Sequence, residues 1–445
     1  VFDTPQDKIV FDVSHQTYIH KMLTSRIDAF LDPAKYDDVT GYTNPGESPY
    51  DLFTIGHTST AVSLAGGMAK GRDLLGETYN VVALVGDGSL SGGEAFEGLD
   101  EGATLGSNFI VVVNDNEMSI AENHGGIYGN LSELRRTDGA AADNMFRAMG
   151  YDYIYVAEGN DVGALIAAFR RVKDSTHPVV VHIHTDKGHG YAPAEQHKEQ
   201  WHWTMPFDRA TGAPLHDYDG EDYSDIFATE MLAQMEADRR VCVLTAGTPG
   251  TLGFDPERRK RAGRQFIDVG IAEQEAVAMA SGLAKAGARP CFGVVSSFVQ
   301  RAYDQLSQDV AINGMPVVVN IFYASILGMN DVTHLGWFDT ALISNIPGWV
   351  FLAPTTAEEY IAMQRWAMTQ TDHPVAIKLP GGRVIHSTGP VDTDYSELNR
   401  FRMERQGSRV AIIGAGTFFN VAMQTADLLT ASGIEATVIN PRYLS

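Results

Sequence analysis

The tripeptide Gly86-Asp87-Gly88 follows the apolar run "VVALV", and a second polar triplet, Asn114-Asp115-Asn116, follows "FIVVV". Asp87 and Asn116 stand 29 residues apart, room for a strand–helix–strand crossover. In open parallel sheets ligands bind beyond the carboxyl ends of the strands, so the two triplets can converge. One carboxylate oxygen and one amide oxygen suit Mg²⁺, which keeps phosphate oxygens and water as its other ligands. Gly86 and Gly88 allow a diphosphate close to the backbone. "GDG" alone reads as a tight turn. Both triplets at this spacing, each behind a hydrophobic strand, point to a metal-held diphosphate. A further carboxylate, Glu273 of "DVGIAEQEAVAMASGLA", sits between a strand and a helical run. Taken alone, it reads as a first-turn residue favoured by the helix dipole.

The elements that must position these groups alternate along the chain. "KIVFDV", "NVVALVGDG", "NFIVVVNDN" and "PVVVHIHT" are continuous Val/Ile runs, the pattern of parallel strands covered on both faces. "STAVSLAGGMAKGRDLL" and "DVGALIAAFRRVKD" are helical. After "HDYDGEDYSD" the alternation resumes with "RVCVLTAG", "QFIDVG", "PCFGVVSS", "PVVVNIFY", "GWVFLAP" and "PVAIKLP". A second linker-like stretch, "STGPVDTDYSELNRFR", precedes a last unit beginning "SRVAIIGAG". The expected fold is α/β, with successive doubly wound, mostly parallel sheets. The expected domains are 1–215, a linker 216–228, 229–395, and 396–445 as the start of a third. The abrupt start at Val1 and stop at Ser445 read as cuts through a longer chain.

With 445 residues, 44% of them hydrophobic, the chain can bury at least two cores. The net charge of −23 repels nucleic acid and anionic membranes, so neither is an expected partner. No apolar run is long enough to span a bilayer. The two cysteines, Cys242 and Cys291, match no metal spacing and fit a reducing, cytoplasmic compartment.

The paired triplets resemble the signature of thiamine-diphosphate enzymes. The resemblance sharpens to the 1-deoxy-D-xylulose-5-phosphate synthase family, a transketolase-like group. It is carried in order by "DVSHQTYIHKMLTSR", "GHTSTAVSLAGGMA", "GDGSLSGGEAFEGL", "NDNEMSIAEN", "DKGHGYAPAE", "DVGIAEQEAV", "SSFVQRAYDQ" and "THLGWFD". The resemblance implies that Asp87, Asn116 and the backbone carbonyl of Met118 hold Mg²⁺ on the diphosphate of thiamine diphosphate. It implies that Gly56, His57, Thr58 and Ser59 line the diphosphate side with Gly86, Gly88 and Ser89. His15, Lys187 and His202 would stand near the cofactor. Glu273 would hydrogen-bond the aminopyrimidine, and Phe298 would stack on it. Arg301 and Tyr323 would face the substrate, and His334 the reacting carbonyl. The implied reaction joins pyruvate, with loss of CO₂, to an aldehyde, glyceraldehyde 3-phosphate in the family. The implied setting is a cytoplasmic homodimer with its site between two domains of one chain, serving isoprenoid and thiamine biosynthesis.

The departures fall on the acceptor side. Tyr323 and Gly381 stand where the family pattern has phosphate-binding arginines, and neither can supply that charge. Asn330 replaces an aspartate, Val295 a tyrosine and Glu275 a histidine. Arg383 and Lys378 are the remaining cations that could substitute. The segment between "LSELRR" and "NMFRAMGYDYIYV" is also shorter than in the family. Two alternatives stay open: a transketolase-like enzyme or paralogue with another acceptor or donor, and a cofactor-binding homologue without turnover. Asp87, Asn116 and Glu273, all present, argue against the second.

Overall fold

A computed structural model describes residues 1–216, 220–326 and 331–445; Asn330 lies outside them. The chain forms two compact units, one of Val1–Asp217 with Gly270–Ala272, the other of Tyr218–Val269 with Glu273–Ser445.

The first unit is built on five parallel strands, β1 (Lys8–Phe11), β2 (Val81–Gly86), β3 (Phe109–Asp115), β4 (Asp152–Val156) and β5 (Pro178–His184). Their order is β1-β2-β3-β5-β4. Residues alternate between two cores: Val81, Ala83, Val85, Val111 and Val113 pack on one face, Val82, Ile110, Val112 and Val181 on the other. Two covered faces explain why these strands read as unbroken apolar runs. Helix Ala61–Leu75 follows β1, helix Gly93–Gly102 lies between β2 and β3, and helix Val162–Val172 between β4 and β5. Strand β4 is not among the expected elements. It lies at the sheet edge, and its sequence "DYIYV" is half-exposed and aromatic rather than a Val/Ile run.

The second unit carries six parallel strands, β6 (Val241–Thr245), β7 (Phe266–Asp268), β8 (Arg289–Val295), β9 (Val318–Phe322), β10 (Val350–Leu352) and β11 (Val375–Lys378), in the order β10-β11-β9-β8-β6-β7. Val243, Cys291 and Val318 join one core, and Cys242, Leu244, Phe292 and Val319 the other. Both cysteines are buried and free. The same unit includes a small sheet of β12 (Arg402–Arg405), β13 (Val410–Ile413) and β14 (Ala436–Asn440), with β12 antiparallel and β13 parallel to β14. This mixed sheet is the departure from a wholly parallel design.

Two expected linkers are shorter than their composition suggests. Helix Tyr223–Ala237 begins inside 216–228 because Asp222 caps it, accepting the Ser224 N–H at 2.8 Å. The linker-like stretch ending "NRFR" runs into β12 at Arg402.

Candidate active site

The carboxyl ends of β2 and β3 are neighbours, with Gly86 in register with Asn114. Asp87 N–H continues the ladder to Asn114 O at 3.0 Å, which delivers the Asp87 side chain to the strand ends. It is buried there and receives Asn123 Nδ2–H at 2.7 Å. The N–H groups of Asn116 and Gly88 also donate to it. Burial, then the charge of Asp115, push its carboxyl up to about 7. Gly88 lets the two turns approach closely, since a Cβ there would lie 3.1 Å from Ser119 Cα and force Ser119 to shift. Asn116 Oδ1 accepts the Met118 N–H at 3.2 Å across Glu117, whose φ is +66°.

The next loop meets this turn. Asp12, at the end of β1, accepts the N–H groups of Ser59 (2.9 Å) and Ala61 (3.0 Å) and so fixes the entry to helix Ala61–Leu75. Ser59, at φ +74°, donates its hydroxyl to Ser89 O at 2.8 Å. A Cβ on Gly92 would come within 2.1 Å of Ser59 Oγ. Gly56 is buried, and His57 and Thr58 are half-buried beside Ser59.

A third group closes around Lys187. Its ammonium donates to Ser119 O (2.5 Å) and Ile120 O (3.1 Å). Burial draws it down to about 8, against the opposing charges of Asp87 and Glu199. The rings of His15 and His202 stand 5.5 Å apart. His202 is drawn down to about 3 by burial and then by the charges of Lys187 and His15, so it is a neutral imidazole at neutral pH. The structure thus gathers Asp87, Ser89, Asn116, Met118, Ser59, Lys187, His15 and His202 in one unit.

Sequence reasoning missed what holds the Asn116 loop. Asp115 is fully buried and bonded to His182 Nε2 (2.8 Å) and Arg135 (2.5 Å), while Tyr153 hydroxyl meets His182 Nδ1 at 2.8 Å. Burial pushes the Asp115 carboxyl up, but the bonds and charges of His182 and Arg135 outweigh it and hold it below its usual range. Asn123, seven residues beyond Asn116, is likewise not among the expected site residues. Spacing does not single out either group, because their partners come from other strands and helices.

In the second unit, Glu273 opens helix Glu273–Lys285 and is buried. Its Oε2 has no hydrogen-bond partner among the described residues; Arg301 stands 3.8 Å from it. Burial raises its pKa and the Arg301 charge opposes this. Phe298 meets His334 edge-on, with ring centroids 5.4 Å apart. His334 is buried, its Nδ1 is 2.8 Å from Thr333 Oγ1, and burial lowers its pKa against the charge of Asp331. Tyr323 is exposed at φ +50°. Gly381 is buried, its N–H held by Thr417 Oγ1 at 2.8 Å, and Val295 is buried in strand β8. Glu275 and Arg383 are exposed. Lys378 is engaged elsewhere: both oxygens of the fully buried Asp339 accept from it at 2.7 Å. That corrects the expectation that Lys378 could stand in for a missing phosphate arginine.

These residues fit a metal-bound diphosphate and an acid-assisted ring. A buried carboxylate at a strand end, with Ser119 Oγ and Asn123 Oδ1 buried nearby without hydrogen-bond partners among the described residues, is a polar cluster that a ligand would satisfy. Glu273 Oε2 is a second such atom.

Comparison with known proteins follows the same division. Residues 1–144 and 137–185 match the family model described as 1-deoxy-D-xylulose-5-phosphate synthase. Residues 220–384 match the transketolase pyrimidine binding domain, and 399–445 the transketolase C-terminal domain. The chain is 37% identical over 480 residues to the 1-deoxy-D-xylulose-5-phosphate synthase of Desulforudis audaxviator, covering 100% of this chain and 75% of that protein. It is 39% identical over 482 residues to that of Symbiobacterium thermophilum, covering 100% and 73%. With 1-deoxy-D-xylulose-5-phosphate synthase 2 of Geobacter sulfurreducens it shares 36% over 489 residues, covering 100% and 77%.

Proposed function

Because the chain belongs to the 1-deoxy-D-xylulose-5-phosphate synthase family, we propose that the residues gathered at the ends of β2 and β3 hold Mg²⁺ and the diphosphate of thiamine diphosphate. The enzyme is a transferase that condenses pyruvate, with decarboxylation, with an aldehyde. When bound, thiamine diphosphate supplies the electron sink for that decarboxylation and carbon–carbon bond formation.

The chain's own groups do the rest. Asp87, Asn116 Oδ1 and the Met118 carbonyl offer oxygen to the cation, a set of low charge that suits Mg²⁺. Lys187, tied to the carbonyls of Ser119 and Ile120, places one positive charge near Asp87. Its ammonium partly offsets a diphosphate. The loop Gly56–Ser59 lies against Ser89 and supplies backbone to the same face. His202 is neutral, so one ring nitrogen can donate a hydrogen bond and the other can accept one. Glu273, with its pKa raised, keeps its proton to a higher pH than an ordinary glutamate and can donate it to a ring nitrogen. Phe298 offers an apolar ring surface, and His334 a neutral imidazole.

The aldehyde carries the finer part of the reading. Tyr323 and Gly381 bring no charge, Lys378 is spent on Asp339, and Arg383 is exposed. A weaker grip on the phosphate of glyceraldehyde 3-phosphate than in the family follows from this. A homodimer in the cytoplasm is part of the same proposal. Among the described residues no helix is long and apolar enough to cross a membrane.

The carrying observation is the buried Asp87 beside Asn116 at adjacent strand ends. Titration calorimetry with thiamine diphosphate tests it. Binding should depend on Mg²⁺, vanish with chelator, and weaken about 100-fold or more in Asp87→Ala. Unchanged affinity in that variant would remove Asp87 from the metal site.

A further inference from the structure

Asn123 occupies an unusual position for a buried-side amide. Its Nδ2 donates to Asp87 Oδ2 at 2.7 Å. As a metal ligand Asp87 must be ionised and is then acceptor-only, so an amide facing it presents its NH₂. That orientation commits Oδ1 to the other side, where it is buried and has no hydrogen-bond partner among the described residues. Asn80, in the same unit, shows what a purely structural amide does. Its Nδ2 also bonds a buried carboxylate, Asp7, at 3.0 Å, but its Oδ1 accepts the Asp174 N–H at 2.8 Å. Both ends of Asn80 are satisfied by the fold, and only one end of Asn123 is.

We propose that Asn123 is a positioning residue of the metal site: Nδ2 pins one oxygen of Asp87 so that the other is left for the cation, and Oδ1 accepts a hydrogen bond from a water molecule on that cation. The inference rests on the reading of Asp87 as a metal ligand. Mg²⁺ demands octahedral geometry and retains water when the protein offers few ligands. A metal-bound water is a strong donor, and the unsatisfied Oδ1 is the acceptor beside it. Partners of this kind fix ligand orientation, and their loss costs about 10- to 100-fold in metal affinity.

Mn²⁺ serves as the probe, with thiamine diphosphate present and the protein in its metal-free form at the start. Free Mn²⁺ is read by electron paramagnetic resonance, and water-proton relaxation is read per bound Mn²⁺. Asn123→Leu, which keeps the bulk and removes both polar atoms, should bind Mn²⁺ about tenfold or more weakly and change the relaxation per bound ion. Asn123→Ala is read in the same way if the leucine variant fails to fold, with circular dichroism of the metal-free protein as the check. Affinity within about twofold of the unaltered protein would overturn the positioning role. Weaker affinity with unchanged relaxation would overturn the water contact. Asp87→Ala is the control for the underlying reading: if it too binds Mn²⁺ normally, the metal lies elsewhere and the failure belongs to that assignment.

Discussion

Glu273 is a carboxyl that the fold makes uncomfortable. It is buried, its Oε2 lacks a hydrogen-bond partner among the described residues, and Arg301 stops at 3.8 Å. Its pKa is raised above the usual 4.5 because burial outweighs the Arg301 charge. A carboxyl that binds its proton more tightly when folded costs stability as pH climbs from the usual value toward the raised one. Glutamine does not titrate. Glu273→Gln should therefore melt at a higher temperature than the unaltered protein near pH 8, and the gain should shrink as pH falls to about 4. Turnover in the same variant should drop by about 10²- to 10⁴-fold. A variant that melts lower at every pH would show that the carboxylate is stabilised by the fold after all. The acceptor side invites the converse experiment, adding a charge. Tyr323 is exposed, so Tyr323→Arg has room for a guanidinium. It should raise kcat/KM for glyceraldehyde 3-phosphate over unphosphorylated glyceraldehyde by about tenfold or more. If the unaltered enzyme already prefers the phosphorylated aldehyde strongly and the arginine adds nothing, another cation holds the phosphate.

Strands and helices differ in how plainly the sequence shows them. β2, β3, β5, β6, β8 and β9 announce themselves because both faces are covered, which makes most of their positions apolar. β4 and β12 are edge strands, and the same logic leaves them half-polar and quiet in the sequence. Asp87 and Asn116 could be paired from spacing because consecutive parallel strands put their ends together. The Asp115–His182–Arg135 group could not, since its members lie on β3, β5 and helix Ile127–Arg136 and meet only through packing. Lys378 makes the same point. Sequence leaves its charge available, whereas the fold ties β11 to helix Phe338–Ser344 through Asp339. Asp339 is fully buried, and removing its partner strands a charge. Lys378→Met should cost about 3–5 kcal/mol in urea unfolding. Adding Asp339→Leu should recover much of that loss. A single variant as stable as the parent would mean that Asp339 finds another donor or is protonated.

Two compact units in one chain imply that stability is not one number, since such chains need not unfold in a single step. Asp87, Asn116, Met118, Lys187, His15 and His202 all belong to the first unit, whereas Glu273 and His334 belong to the second. A ligand that resembles only the diphosphate should therefore act on one unit alone. Inorganic pyrophosphate with Mg²⁺ is such a ligand, and it offers nothing to Glu273 or Phe298. Binding to the folded state alone stabilises by about 2.7 kcal/mol at a concentration 100 times Kd, enough to move a melting transition by a few degrees. Hydrogen exchange resolves where the gain falls. Protection should rise in peptides from 81–136 and 183–202 and stay flat in helix Ala357–Thr369 of the second unit. Chelator should erase it. Protection that rises equally in both units would show that the two are energetically coupled and unfold together. Protection confined to the second unit, or no response at all, would mean that the diphosphate is not held at the ends of β2 and β3.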